Sequence, residues 1–176
     1  MHEDLLSLKQ QLLQTGFPEQ LVKLPQKTQV AWREAGDASS DFAVVLLHGI
    51  SSGAASWLDV ALQLADKVRV LAWDAPGCGA TTLDRPDRID LDLLVLTALK
   101  MIESKGFGRF HLVGHSMGGL TALLLAYRHP ERVLSFTSME GNLAPEDCFL
   151  SRQVQAYPAQ SDEAFFAAFI DRKSVV

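Results

Sequence analysis

Four short strand-like stretches rich in apolar residues, at 42–47, 68–73, 110–113 and 133–139, alternate with longer segments whose apolar residues recur at helical spacing. This alternation restricts the fold more than any other feature. The first run, Phe-Ala-Val-Val-Leu-Leu, has no polar face at all, so both sides of such a strand must be covered, as they are in a parallel sheet flanked by helices. Trp57, Val60, Ala61 and Leu64 mark one intervening helix. Leu91, Leu94, Val95, Ala98, Leu99 and Ile102 mark a second, and Leu120, Leu124 and Leu125 a third that closes at His129-Pro130. The order βαβαβαβ with right-handed crossovers predicts an α/β fold, a mostly parallel sheet with helices on both faces. Upstream, residues 29–35 alternate well enough for a further strand ending at the Gly36-Asp37 turn, and Leu5, Leu8 and Leu12 predict a short amphipathic helix before Gly16 and Pro18.

With 176 residues, 48% of them hydrophobic, the chain can bury a core without help from disulfides or a metal. Its net charge of −5 and its lack of any basic block argue against nucleic acid or an anionic membrane as partner, and favour small neutral or weakly polar ligands. Cys78 and Cys148 form no metal-ligand or CxxC spacing, so they are expected to stay reduced, and no cofactor is expected. The start of the chain has no basic-then-apolar leader, and the longest apolar run is only about six residues, far short of a membrane span. The expectation is a cytoplasmic, non-membrane protein.

Open α/β sheets bind ligands at the carboxyl ends of their strands, and here those loops carry the chemistry. Gly114-His115-Ser116-Met117-Gly118-Gly119 joins the third run to the next helix. A tight strand-to-helix turn tolerates no crowding at Gly114 and Gly118, and it lifts the Ser116 hydroxyl out of the sheet. It also aims the first N–H groups of the helix, notably that of Met117, at any negative charge developing beside Ser116. A second N–H for such an oxyanion is available from Ile50 or Ser51 in the loop His48-Gly49-Ile50-Ser51, where Gly49 lets the backbone come close. The plainer reading of Ser116 is a helix N-cap.

The other polar residues near these loops have structural readings. His115 neighbours Ser116, but adjacent side chains at a sharp turn diverge, so it is expected to shape the elbow rather than serve as base. His48 is expected to hold its loop by hydrogen bonding. His2, His111 and His129 lie at the terminus, within a strand and at a helix end. Asp74 reads as a loop-anchoring carboxylate and Cys78 as a packing residue.

His48-Gly49, Asp74-x-Pro76-Gly77-x-Gly79 and Gly114-x-Ser116-x-Gly118, in this order and spacing, resemble the serine-nucleophile branch of the α/β-hydrolase superfamily over residues 28–142. The resemblance implies acyl transfer on an ester-like small molecule. Ser116 would attack, a histidine would take its proton, and the Ile50 and Met117 amides would hold the oxyanion. Glu140, at the end of the strand after the serine helix, is the candidate acid, because some members take their triad acid from that strand end. A serine elbow separates the chain from relatives with aspartate, which open epoxides or displace halides, and from those with cysteine.

The departure from the family lies in residues 143–176, which contain no histidine. The family places its triad histidine after further strands, so the chain is expected to be the N-terminal part of a longer hydrolase. It divides into a helical extension (1–27), a partial hydrolase core (28–144) and the start of a lid (145–176). In that lid, Ser161 is expected to cap a helix carrying Phe165, Phe166, Phe169 and Ile170. The strand at 133–139 would leave an open sheet edge, and self-association through it is expected. The alternative is a non-catalytic module of the same fold that binds a ligand or a partner.

Overall fold

The computed structural model describes residues 2–24, 27–141, 143–148 and 164, and six strands and four α-helices account for most of them. The strands are β1 (Glu19–Leu24), β2 (Thr28–Ala35), β3 (Ala43–Leu47), β4 (Arg69–Trp73), β5 (Phe110–His115) and β6 (Val133–Met139). The helices are α1 (His2–Thr15), α2 (Leu58–Ala65), α3 (Leu91–Ser104) and α4 (Met117–Arg128). Two compact units divide at 142/143. The first, residues 1–142, holds the whole sheet.

The sheet order is β1-β2-β4-β3-β5-β6. β1 and β2 form an antiparallel hairpin and β2 meets β4 antiparallel, while β4, β3, β5 and β6 run parallel. Residues 19–24, which the sequence reading left inside a helical extension, are thus an edge strand. Only alternate positions of β1 are partly buried, and Leu21 and Val22 stand side by side, so the segment never shows clean apolar alternation.

β3 explains why its sequence is apolar throughout. Ala43, Val45 and Leu47 enter a core with Leu94, Val95, Ala98 and Ile102 of α3 and Ala122 and Leu125 of α4. Leu46, with Val44 beside it, enters the opposite core with Phe17, Leu58 and Ala61. Helices therefore cover both faces. α1 is pinned to the second face by Arg33 of β2, whose Nη1 donates to the carbonyls of Leu13 and Phe17 at 3.0 and 2.8 Å. α3 starts at Asp90, whose carboxylate accepts the Leu93 N–H at 2.8 Å, a standard N-cap. Trp57, the first residue of the predicted helical stripe, instead closes a separate 3₁₀ turn over Ala54–Trp57 and is the N-cap of α2.

At the amino end of the parallel strands, Arg69 and Lys105 converge on Glu34 of β2. Arg69 hydrogen-bonds the carboxylate, and Lys105 Nζ lies 2.8 Å from its Oε2. Burial pushes the Glu34 pKa up, but the hydrogen bonds and charges of Lys105 and Arg69 outweigh it and hold the group below the usual 4.5. The unfolded chain therefore takes up this proton at a higher pH than the folded one. The stabilisation is fully present above the unfolded value and is lost as pH falls through the folded pKa. Urea unfolding across the acid range is expected to show wild-type stability falling below about pH 4.5. The fall should be shallower in Glu34→Gln, which starts lower at neutral pH; identical acid slopes would show that Glu34 contributes nothing to it.

In the second unit, Pro145–Cys148 form a 3₁₀ turn, and Asp147 Oδ2 accepts the N–H groups of Leu143 and Ala144 at 3.1 and 2.9 Å. Ala164 is helical. The remaining positions of the helix expected after Ser161 lie outside the described residues. Cys78 and Cys148 are thiols, the Cys148 Sγ donating to the Ala144 carbonyl at 3.7 Å, and among the described residues no helix is long and apolar enough to cross a membrane.

Candidate active site

The junction of β5 and α4 is tighter than its sequence alone requires. β5 continues to His115, two residues beyond the apolar run, and α4 begins at Met117, so Ser116 is the entire connection. Its backbone sits at φ 53°, ψ −119°, a region that costs a non-glycine residue about 1–3 kcal/mol. An N-cap serine would have extended backbone and a side-chain bond to the first turn; Ser116 has neither. The junction is held instead by main-chain bonds. Ser116 N–H donates to the Met139 carbonyl at 3.0 Å, and the Ser116 carbonyl accepts from Gly119 at 2.8 Å.

Glycine is imposed here by close backbone approach. A methyl on Gly118 would overlap the Leu47 carbonyl and lie 2.7 Å from the His48 carbonyl oxygen, because the start of α4 presses on the end of β3. One on Gly114 would lie 2.6 Å from Gly119 Cα. At Gly49 it would stand 3.0 Å from both His115 Nδ1 and Ser116 Cβ, so the loop after β3 passes directly against the serine. That loop carries Ile50, whose side chain is mostly exposed, and Ser51, whose φ is 58°. Met117 is half-buried as the first residue of α4, where helix N–H groups lack intrahelical acceptors.

His48 is buried with both ring nitrogens engaged. Ala75 N–H donates to Nε2 at 2.9 Å, so the ring proton is on Nδ1, which donates to the Gly49 carbonyl at 2.7 Å. Burial holds its pKa below the ordinary histidine value, against the opposing pull of the Gly49 carbonyl and the Asp74 charge. It is a neutral strut. His115 is partly exposed, with Nε2 3.5 Å from Glu140 Oε2. Glu140 directly follows β6, with φ 49° and a side chain that is 88% exposed. The remaining histidines are elsewhere: His111 bonds Ser135 between β5 and β6, and His129 caps the far end of α4, about 20 Å along the helix from Ser116. His2 is in α1.

A cavity of about 240 Å³ opens beside the junction, lined by His48, Ser52, Ser56, Trp57, His115 and Met139. Ser116 is not among its lining residues; the elbow meets it through His115. The sequence reading missed Ser52, Ser56, Trp57 and Met139 as cavity walls. In the sequence Trp57 reads as part of a helical stripe, and Met139 as the end of a strand. No cluster of His, Cys, Asp or Glu among the described residues could hold a metal ion.

The geometry brings Gly49, His115 and Ser116 together, stacks Gly114 and Gly118 under the turn, and sets Glu140 against His115 rather than beside a second histidine. The family of the alpha/beta hydrolase fold matches residues 43–175. The dihydrolipoyllysine-residue acetyltransferase component of an acetoin cleaving system from Pseudomonas putida is 36% identical over 118 residues, 64% of this chain and 31% of that protein. A fluoroacetate dehalogenase from a Burkholderia species is 33% identical over 102 residues, 56% of this chain and 34% of its own length. The chain spans about a third of the length of these relatives. In fold, a solved hydrolase from Pseudomonas aeruginosa superposes with a TM-score of 0.72 at 23% identity, over 87% of this chain and 58% of that one.

Proposed function

The chain belongs to the alpha/beta hydrolase fold family, and on that premise we propose that it carries the nucleophile half of a serine hydrolase acting on a small ester-like carbonyl compound through an acyl-enzyme. One observation carries the reading. Ser116 is kept in a costly positive-φ conformation between a strand and a helix, under glycines that no other residue could replace without moving backbone.

In this mechanism Ser116 Oγ attacks the carbonyl, and the oxygen that becomes negative is held by the amides of Met117 and Ile50. Met117 contributes the N-terminal field of α4 as well as its N–H. Glu140 is the acid that would orient a histidine base. None of the chain's five histidines is assigned as that base: His48 is committed at both nitrogens, and His111 and His129 are directed elsewhere. His115 shapes the elbow, so no histidine of residues 1–176 is given the role of base in this reading.

A fluorophosphonate is the direct test. Prolonged incubation is expected to modify Ser116 selectively, with the adduct located by peptide mass spectrometry and absent from Ser116→Ala. Modification scattered over surface serines, or none, would favour the second reading, a non-catalytic module. The lack of an assigned base supports that reading, as does β6, which among the described residues pairs only with β5. It is expected to come with stable self-association through that edge.

A further inference from the structure

The loop of residues 48–54 carries the Ile50 amide, yet little in its own middle anchors it: Ile50 is 60% exposed and Ser51 is strained. Its hold comes from the loop after β4. Asp74 is 6% exposed, and both carboxylate oxygens are taken by backbone N–H groups from different loops. Oδ1 accepts from Ala54 at 2.7 Å and Oδ2 from Ala80 at 3.0 Å. The space around the carboxylate is cut to its size. A methyl on Gly53 would stand 2.9 Å from Oδ1, and one on Gly79 would stand 2.6 Å from it.

Two more ties run alongside. His48 spans from the Gly49 carbonyl to the Ala75 N–H, joining the other end of the same loop to the residue after Asp74. Thr81 Oγ1 donates to the Asp74 carbonyl at 2.6 Å and accepts the Ala31 N–H at 3.0 Å, fixing Asp74 itself to β2. A carboxylate is costly to bury unless its charge is met by donors, and here the donors that meet it belong to the loop that must be held still.

We propose that Asp74 is a positioning residue for the oxyanion amide of Ile50. Through the Ala54 N–H at one end of the loop, with His48 at the other, it fixes the distance between that amide and Ser116. The proposal rests on the serine-hydrolase reading for its catalytic consequence, but the latch itself does not.

Three variants separate the latch from plain stability. Ala54→Pro removes the N–H that Asp74 holds and sets a ring carbon against the carboxylate, at the first position of a 3₁₀ turn behind an extended Gly53, where a proline φ is tolerated. Asp74→Asn replaces one acceptor with an NH₂ that must oppose a backbone donor. Thr81→Val removes the Thr81 hydroxyl bridge between Asp74 and β2 at nearly constant shape, keeps the Asp74 N–H bond to the Ala31 carbonyl at 2.8 Å, and leaves residues 48–54 untouched. In Ala54→Pro and Asp74→Asn, the limiting rate of Ser116 phosphonylation is expected to fall about 10- to 100-fold at an unchanged half-saturating probe concentration, within the ~10²–10³ that loss of a whole oxyanion donor costs. Amide hydrogen exchange at residues 49–53 should accelerate in the same two variants. Thr81→Val should lower the melting temperature while leaving both readouts near wild type. If Thr81→Val loses rate and protection in step with the others, Asp74 is merely structural and the proposal is overturned. If the wild type is never labelled at Ser116, the serine reading fails and exchange alone decides. Selective loosening of 49–53 in the first two variants upholds the latch; its absence overturns it.

Discussion

Gly118→Ala is expected to destabilise the chain by about 3 kcal/mol or more, the upper end of what overpacking costs, because the obstruction is backbone and has no rotamer to yield. Local reasoning gives the opposite sign. Gly118 is in the first turn of α4, and alanine is better than glycine in a helix by up to about 1 kcal/mol. The tertiary term wins because the added methyl would overlap the Leu47 carbonyl and press on that of His48, so α4 could stay only by backing away from β3. That retreat would also open the gap between Ser116 and the loop of Gly49. Chemical denaturation of Gly118→Ala beside Gly108→Ala, whose methyl meets nothing within 4 Å, isolates the effect. A Gly118→Ala chain as stable as wild type would mean that the helix does not press on β3 as described.

The largest functional effect expected concerns turnover by the 176-residue chain itself. On the serine-hydrolase reading proposed above, in which no histidine of residues 1–176 is the base, only about 10³–10⁴-fold acceleration over water is expected, against the roughly 10⁶-fold further gain that a complete triad supplies. His48 cannot take the role while it holds Ala75 N–H on Nε2 and the Gly49 carbonyl on Nδ1, and burial keeps it neutral. Hydrolysis of an activated ester such as p-nitrophenyl acetate should therefore be barely above background, and Ser116→Ala should remove what little there is. Rapid turnover abolished by Ser116→Ala would show that a base is present after all. His115, held against Glu140, would then be the first residue to replace.

The sequence was most legible where information is local. Continuous burial of β3, the helical stripes of α3, and glycines at fixed offsets from Ser116 are all patterns within a few residues, set by strand and helix geometry. β1 was missed because its burial depends on β2 rather than on its own alternation. The 3₁₀ turn at residues 54–57 was missed because Trp57 fits a helical stripe whether or not the helix has begun. Asp74 was legible as an anchor, but its partners Ala54 and Ala80 have side chains that reveal nothing. The hydrogen bonds are made by backbone, which every residue carries.

The sequence by itself determined the layered α/β architecture and the identity of the serine at its strand-to-helix turn, since periodicity and steric need for glycine act along the chain. Only the tertiary structure decided that Ser116 takes a positive φ rather than an N-cap geometry, that the Gly49 loop lies against it, and that β4 stands between β2 and β3. Those outcomes depend on which backbones meet across the sheet, and contacts between residues distant in sequence leave no local trace.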